Sequence, residues 1–114
     1  MIFHVVTLAD WSAAPDLPYA PPSLDTQGFT HCSADRPTVL EIVNRHFRDV
    51  PGPLLAVEID ERGLTSEVSR EGGSGARYPH VHGPLDRAAV HRLWEVRRDA
   101  DGTARDLVPY PADS

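Results

Sequence analysis

The chain has no lysine, a single cysteine and no run of about 18 apolar residues in its 114 positions. One thiol, Cys32, cannot close an intramolecular disulfide, and without a Cys-x-x-Cys pair there is no zinc knuckle. The opening segment MIFHVVTLAD lacks the basic stretch and the long apolar core of a secretory signal, so a cytoplasmic protein with no membrane partner is expected. Basic charge is also scarce: seventeen acidic residues against eleven arginines leave a formal charge of −6. Such a surface repels a polyphosphate backbone, which makes a small molecule the expected partner and removes nucleic acid. The exclusive use of arginine, beside abundant alanine and proline, resembles the codon bias of a GC-rich bacterium and carries no functional meaning. No repeat or low-complexity segment is present.

The length suits one domain over residues 1–114. IFHVVTL (2–8) is β-branched and apolar enough for a buried strand, followed by a polar turn around Trp11. PDLPYAPPS (15–23) has four prolines in nine residues and must run extended, with Tyr19 at its centre. GFTHCS (28–33) opens with a turn glycine and continues as a brief strand. Ser33 and Asp35 then offer cap oxygens to a helix over about 36–48, a role that suits Ser33 better than a ribose contact. Leu40, Val43 and Phe47 form the inward stripe of that helix, widened by Val39 and Ile42.

LLAVEID (54–60) alternates Leu55, Val57 and Ile59 inward against Ala56, Glu58 and Asp60. LTSEVS (64–69) reads as a weaker strand. AVHRLWEVRR (89–98) fits helix or strand, and the turn-like DADGT after it favours a strand that pairs with ARDLV. The expected fold is therefore α+β, a mostly antiparallel split β-sheet with one main helix.

His4, His31, His80 and His82 lie in strand-like or proline-braced segments. Alternation places His80 and His82 on one face if PHVH is extended. They fit ordinary sheet-face histidines bonded to carbonyls, or metal ligands joined by His31 or Cys32. A third reading makes Cys32 a nucleophile with a histidine base. Alternation, however, turns Cys32 away from His31 and Ser33 and toward the core. His46 and His91 have no supporting pattern.

The order of motifs adds a resemblance. FHVVT, Trp11, Tyr19, SL at 23–24, GFTHCS, Glu71 and YPHVHGPL resemble the bacterial family known as domain of unknown function 952, over roughly residues 2–96. One departure is His82, where that family commonly has tyrosine. The family in turn looks like a compact relative of the ADP-ribosyltransferases and RNA 2′-phosphotransferases. Their H-x-T motif is matched by His4 to Thr7 with one extra residue.

The resemblance implies an ADP-ribosyltransferase-like fold and NAD as substrate, cleaved with transfer of ADP-ribose to water or to an acceptor. Breaking the nicotinamide–ribose bond forms an oxocarbenium-like centre, which calls for groups that grip ribose hydroxyls and for a carboxylate. The expected catalytic residues are His31, Glu71 and His80. Dinucleotide contacts are expected from His4, Thr7, Tyr19, Ser33 and His82, with no metal. Tyr19 could stack on a planar ring, and Ser33 could bond a ribose. The alternative is a small-molecule-binding or biosynthetic protein that keeps the cleft, with a possible metal on His80 and His82, and has no transfer chemistry.

Overall fold

The computed structural model describes residues 1–70 and 76–111. Strands β1 (Ile2–Thr7), β3 (Leu54–Ile59), β6 (Val90–Arg98) and β7 (Ala104–Tyr110) form a four-stranded sheet in the order β1-β3-β6-β7. The short strands β2 (Thr30–His31), β4 (Val68–Ser69) and β5 (His80–Val81) form a second sheet in the order β2-β5-β4. Every pair is antiparallel. With one helix of 11 residues, α3 (Arg36–His46), and two of five, α1 (Leu8–Ser12) and α2 (Ser23–Gln27), the architecture is α+β.

β3 is the central element. Leu55, Val57 and Ile59 pack on one face with Ile2, Val6, Trp11 and Leu85. The opposite face is buried as well, because Leu54 and Ala56 pack with Val39 and Val43 of α3 and with Trp94. The one-sided reading of this strand is thereby corrected: Ala56 is fully buried, since α3 covers the face it was expected to leave to solvent.

α3 starts where its sequence allows. Asp35 accepts a hydrogen bond from the Thr38 amide at 2.9 Å, and Pro37 occupies the first turn. Asp35, not Ser33, is thus the cap. The helix stops at His46, short of the expected Arg48, because Phe47 leaves helical geometry. Two further corrections concern segments read as non-helical. The turn around Trp11 is the helix α1, whose first turn is capped by Thr7. The proline-rich loop ends in α2, which Gly28 terminates with a φ of +83° that a residue with a Cβ rarely adopts.

The two sheets meet along residues 30–34. Ser33 exchanges both backbone hydrogen bonds with Phe3 of β1, at 2.7 and 2.8 Å. Its neighbours Cys32 and Ala34 bond the other way, to the carbonyls of Pro79 and Arg77. This alternation is the ordinary two-sided bonding of an extended chain, and it lets one short segment belong to both sheets.

β5 runs into a tight approach at Gly83, where an added Cβ would collide with the side chain of Ser66. Nearby, the buried Thr30 hydroxyl donates to the Gly83 carbonyl at 3.0 Å. Gly83→Ala should therefore lower stability by about 1–3 kcal/mol in denaturant unfolding, as overpacking does. Adding Ser66→Gly should recover most of that loss.

Candidate functional site

A cleft of about 640 Å³ opens between β1, the Tyr19 loop, the 31–33 segment and the C-terminal turn of α3. A larger groove, about 770 Å³, lies at the β6–β7 turn. Two of its arginines are committed to structure: Arg98 bonds the carbonyls of Phe47, Val50 and Gly52, and Arg48 pairs with Asp101. No histidine lines that groove, so the chemistry belongs to the smaller cleft.

His4 is the most constrained group there. β1 is buried along residues 2–6, and His4 is only 7% exposed. Its Nδ1 lies 2.6 Å from the His31 carbonyl oxygen. A carbonyl can only accept, so Nδ1 carries the proton and Nε2 is left as an acceptor. Burial pushes the His4 pKa down to about 4, outweighing the carbonyl bond that favours the charged form. Residue 4 is therefore a neutral imidazole at pH 7, suited to accept a hydrogen bond from a ligand hydroxyl and poorly suited to take its proton.

Tyr19 faces His4, with ring centroids 5.6 Å apart, and Trp11 at 5.5 Å. Its loop is held at two points. The Tyr19 backbone exchanges hydrogen bonds with Leu85 at 2.8 and 2.9 Å. Arg87 donates to the carbonyls of Ala14 and Leu17 while its guanidinium lies 4.1 Å from the centre of the Trp11 ring. Burial, with a contribution from Asp10, raises the Tyr19 pKa, so the phenol stays protonated.

His31 lies across from His4 on the 31–33 segment. Its Nε2 is 2.7 Å from Gln27 Oε1. Its pKa is lowered by burial first, then by the nearby His80 and His46. Ser33 is buried in the cleft wall, and Thr7 also lines it, although the Thr7 hydroxyl accepts from the Asp10 amide and so serves α1.

The other expected residues fall elsewhere. His80 pairs with His31 in register, and their rings are 5.8 Å apart, yet neither His80 nor His82 lines the cleft. β5 is one strand further from β1. His80 instead stacks on Phe29 at 3.9 Å, and His82 bonds Ser69 at 2.7 Å. Among the described residues, no group of three His, Cys, Asp or Glu side chains is placed to hold a metal ion. Glu71 lies outside the described residues. Cys32 is 4% exposed, and burial pushes its thiol up to about 12, which leaves it inert as a nucleophile.

Sequence reasoning placed the 78–83 segment at the cleft, and Tyr78 of it lines the cleft, but it missed the charged and imidazole groups Asp10, Arg45 and His46. A signal for two of them exists. Ile42, Arg45 and His46 have the i, i+3, i+4 spacing of a second helix face beside the core stripe of Val39 and Val43.

An α+β protein with two joined antiparallel sheets and a histidine-lined cleft at their seam is the class these features define. The chain belongs to the family described as protein of unknown function (DUF952), whose profile matches residues 5–93. It is similar to the crystal structure of protein CC0527 from Caulobacter crescentus, with 31% identity, a TM-score of 0.70, and coverage of 91% of this chain and 92% of that one. A double mutant of CC0527 matches with a TM-score of 0.69 and the same identity and coverage. No curated protein matches the sequence significantly.

Between pH 6.5 and about 4, the unfolded chain binds a proton on residue 4 that the native state refuses. Stability should fall with pH across that window, by roughly 3 kcal/mol in all from this group, and level off below it. His4→Phe should flatten that part of the profile in denaturant unfolding at successive pH values. Separately, Arg87→Ala should accelerate amide hydrogen exchange at Leu17 and Tyr19, with little change in the strands β1 and β3.

Proposed function

We propose that the cleft binds an NAD-like dinucleotide and that the protein cleaves its nicotinamide–ribose bond, passing ADP-ribose to water or to another acceptor. The observation that carries this reading is the fixed tautomer of His4, a neutral acceptor beneath an aromatic ring. A ribose hydroxyl can donate to Nε2 while a planar base lies against Tyr19, and His31 and Ser33 supply further hydrogen-bonding groups on the opposite side. The sequence resemblance to the ADP-ribosyltransferases and RNA 2′-phosphotransferases, carried by His4 to Thr7, supports the reading by analogy.

In the reaction, the C1′–N bond breaks and nicotinamide leaves as a neutral molecule, its cationic ring nitrogen taking the bonding pair. The ribose carbon acquires oxocarbenium character, water adds to it through oxygen, and one proton is released to solvent. His4 and His31 hold the ribose so that its geometry favours this charge, and Glu71 is proposed to polarise the incoming nucleophile. His80, stacked on Phe29 beside His31, orders that strand, and Thr7 and His82 are kept for their capping and hydroxyl contacts.

A second reading is a binding protein without transfer chemistry. It is favoured by one observation: among the described residues, the carboxylate lining the cleft is Asp10, which sits beside Tyr19 and not beside His31. Incubation with NAD and chromatographic assay of nicotinamide separates the two. Release that falls at least about a hundredfold in His4→Phe and His31→Ala, the scale of losing a positioned catalytic contact, is the expected result. NAD left intact by folded protein removes the cleavage reading, and a rise in melting temperature with NAD in that same experiment leaves the binding reading in its place.

A further inference from the structure

One wall of the cleft is not used by the ribose chemistry. Arg45 and His46 line it beside Ile42, on one face of the last turns of α3, with Tyr78 close by in the same lining. Both basic side chains are exposed. Of the chain's eleven arginines, Arg45 and Arg97 are the two with no carboxylate, carbonyl or aromatic partner among the described residues. Arg97 lies on β6 by the other groove. Arg45 is thus the guanidinium in the lining of the histidine cleft, and it has no partner among the described residues.

The helix dipole accounts for basic residues in the last turn of α3, since cations are favoured at a helix C-terminus. It acts equally around the helix axis, however, and does not choose the face turned to the cleft. Charge within the cleft is also divided. Asp10 is close enough to Tyr19 to raise its pKa, while His46 is close enough to His31 to lower its pKa. Arg87 offsets Asp10 at the Tyr19 end, so the end that carries unpartnered basic charge is the one at α3, with Arg45 and His46.

We propose that Arg45 and His46 form an anion subsite that takes the phosphate or pyrophosphate of the ligand, so that the substrate class is a phosphorylated ribosyl compound with its sugar between His4 and His31. This inference rests on the ribose-binding reading of the cleft. The guanidinium presents two parallel N–H donors to a phosphate, and the imidazole adds a third.

The test compares pairs of ligands that differ in phosphate. Calorimetric titration of the protein with ADP-ribose, inorganic pyrophosphate and adenosine is repeated on Arg45→Gln and on Arg97→Gln, with melting curves to establish that each variant is folded. Arg45→Gln should weaken ADP-ribose and pyrophosphate about 10- to 100-fold, the scale of losing a charge-assisted bond. It should leave adenosine unchanged, and Arg97→Gln should leave all three unchanged. Equal binding of ADP-ribose by Arg45→Gln and the unsubstituted protein overturns the subsite, as does a protein that binds adenosine as tightly as ADP-ribose. Failure of NAD cleavage alone, with the Arg45 dependence intact, strikes the cleavage reading and leaves the subsite standing.

Discussion

The structure turns on the seam where residue 33 joins the first strand. Two backbone hydrogen bonds between Phe3 and Ser33, reinforced by the His4 ring on the His31 carbonyl, connect the four-stranded sheet to the three-stranded one. The second sheet could not persist alone, since its strands are two residues each and isolated short strands are marginal in water. The seam supplies an edge for it to extend. It also brings His31 to the mouth of the hollow whose floor is His4, so the join that completes the fold is the one that assembles the cleft.

Burial at the seam decides the chemistry of its side chains. His4 and Cys32 are both desolvated, and in each case the neutral form wins: the imidazole pKa falls and the thiol pKa rises. The consequences differ because their hydrogen-bonding capacities differ. A neutral imidazole with one nitrogen committed still offers the other as an acceptor, whereas a buried thiol offers little more than apolar bulk. The same desolvation that disqualifies the cysteine therefore makes the histidine a defined contact.

Much of this was legible in the sequence, for identifiable reasons. β1, β3, β6 and β7 declare themselves through β-branched runs and a DADGT turn, whose Gly102 takes a φ of +87°. Cys32 faces the core as strand alternation requires. The five-residue helices did not declare themselves, because five residues span less than two turns and show no periodicity; only the prolines before α2 and Gly28 after it mark that helix. The second buried face of β3 was hidden because Ala56 sits between residues that read as inward, and nothing local says that α3 lies over it. The second face of α3 with Arg45 and His46 is legible in its i, i+3, i+4 spacing, but nothing local says that this face borders a cleft. LTSEVS forms a strand only at Val68–Ser69, since Thr65 is drawn off to Asp86, with its amide 2.8 Å from the carboxylate.

The proline-rich loop shows how a segment without regular structure can still aim a side chain. Prolines stiffen residues 15–22 but leave few amides to anchor them, so the loop must be fastened through its carbonyls. Arg87 does this, using two donors on the carbonyls of Ala14 and Leu17 and its planar face on Trp11. Lysine could not combine a fork of donors with stacking. The Tyr19–Leu85 exchange then fixes the last degree of freedom. Tyr19 thus reaches the hollow on a loop held rigid from the β5–β6 connection, while His4 reaches it on the first strand and His31 on the seam. Three separate parts of the chain hold the three rings, and the spacing between them is set by the packing of both sheets and not by any one segment.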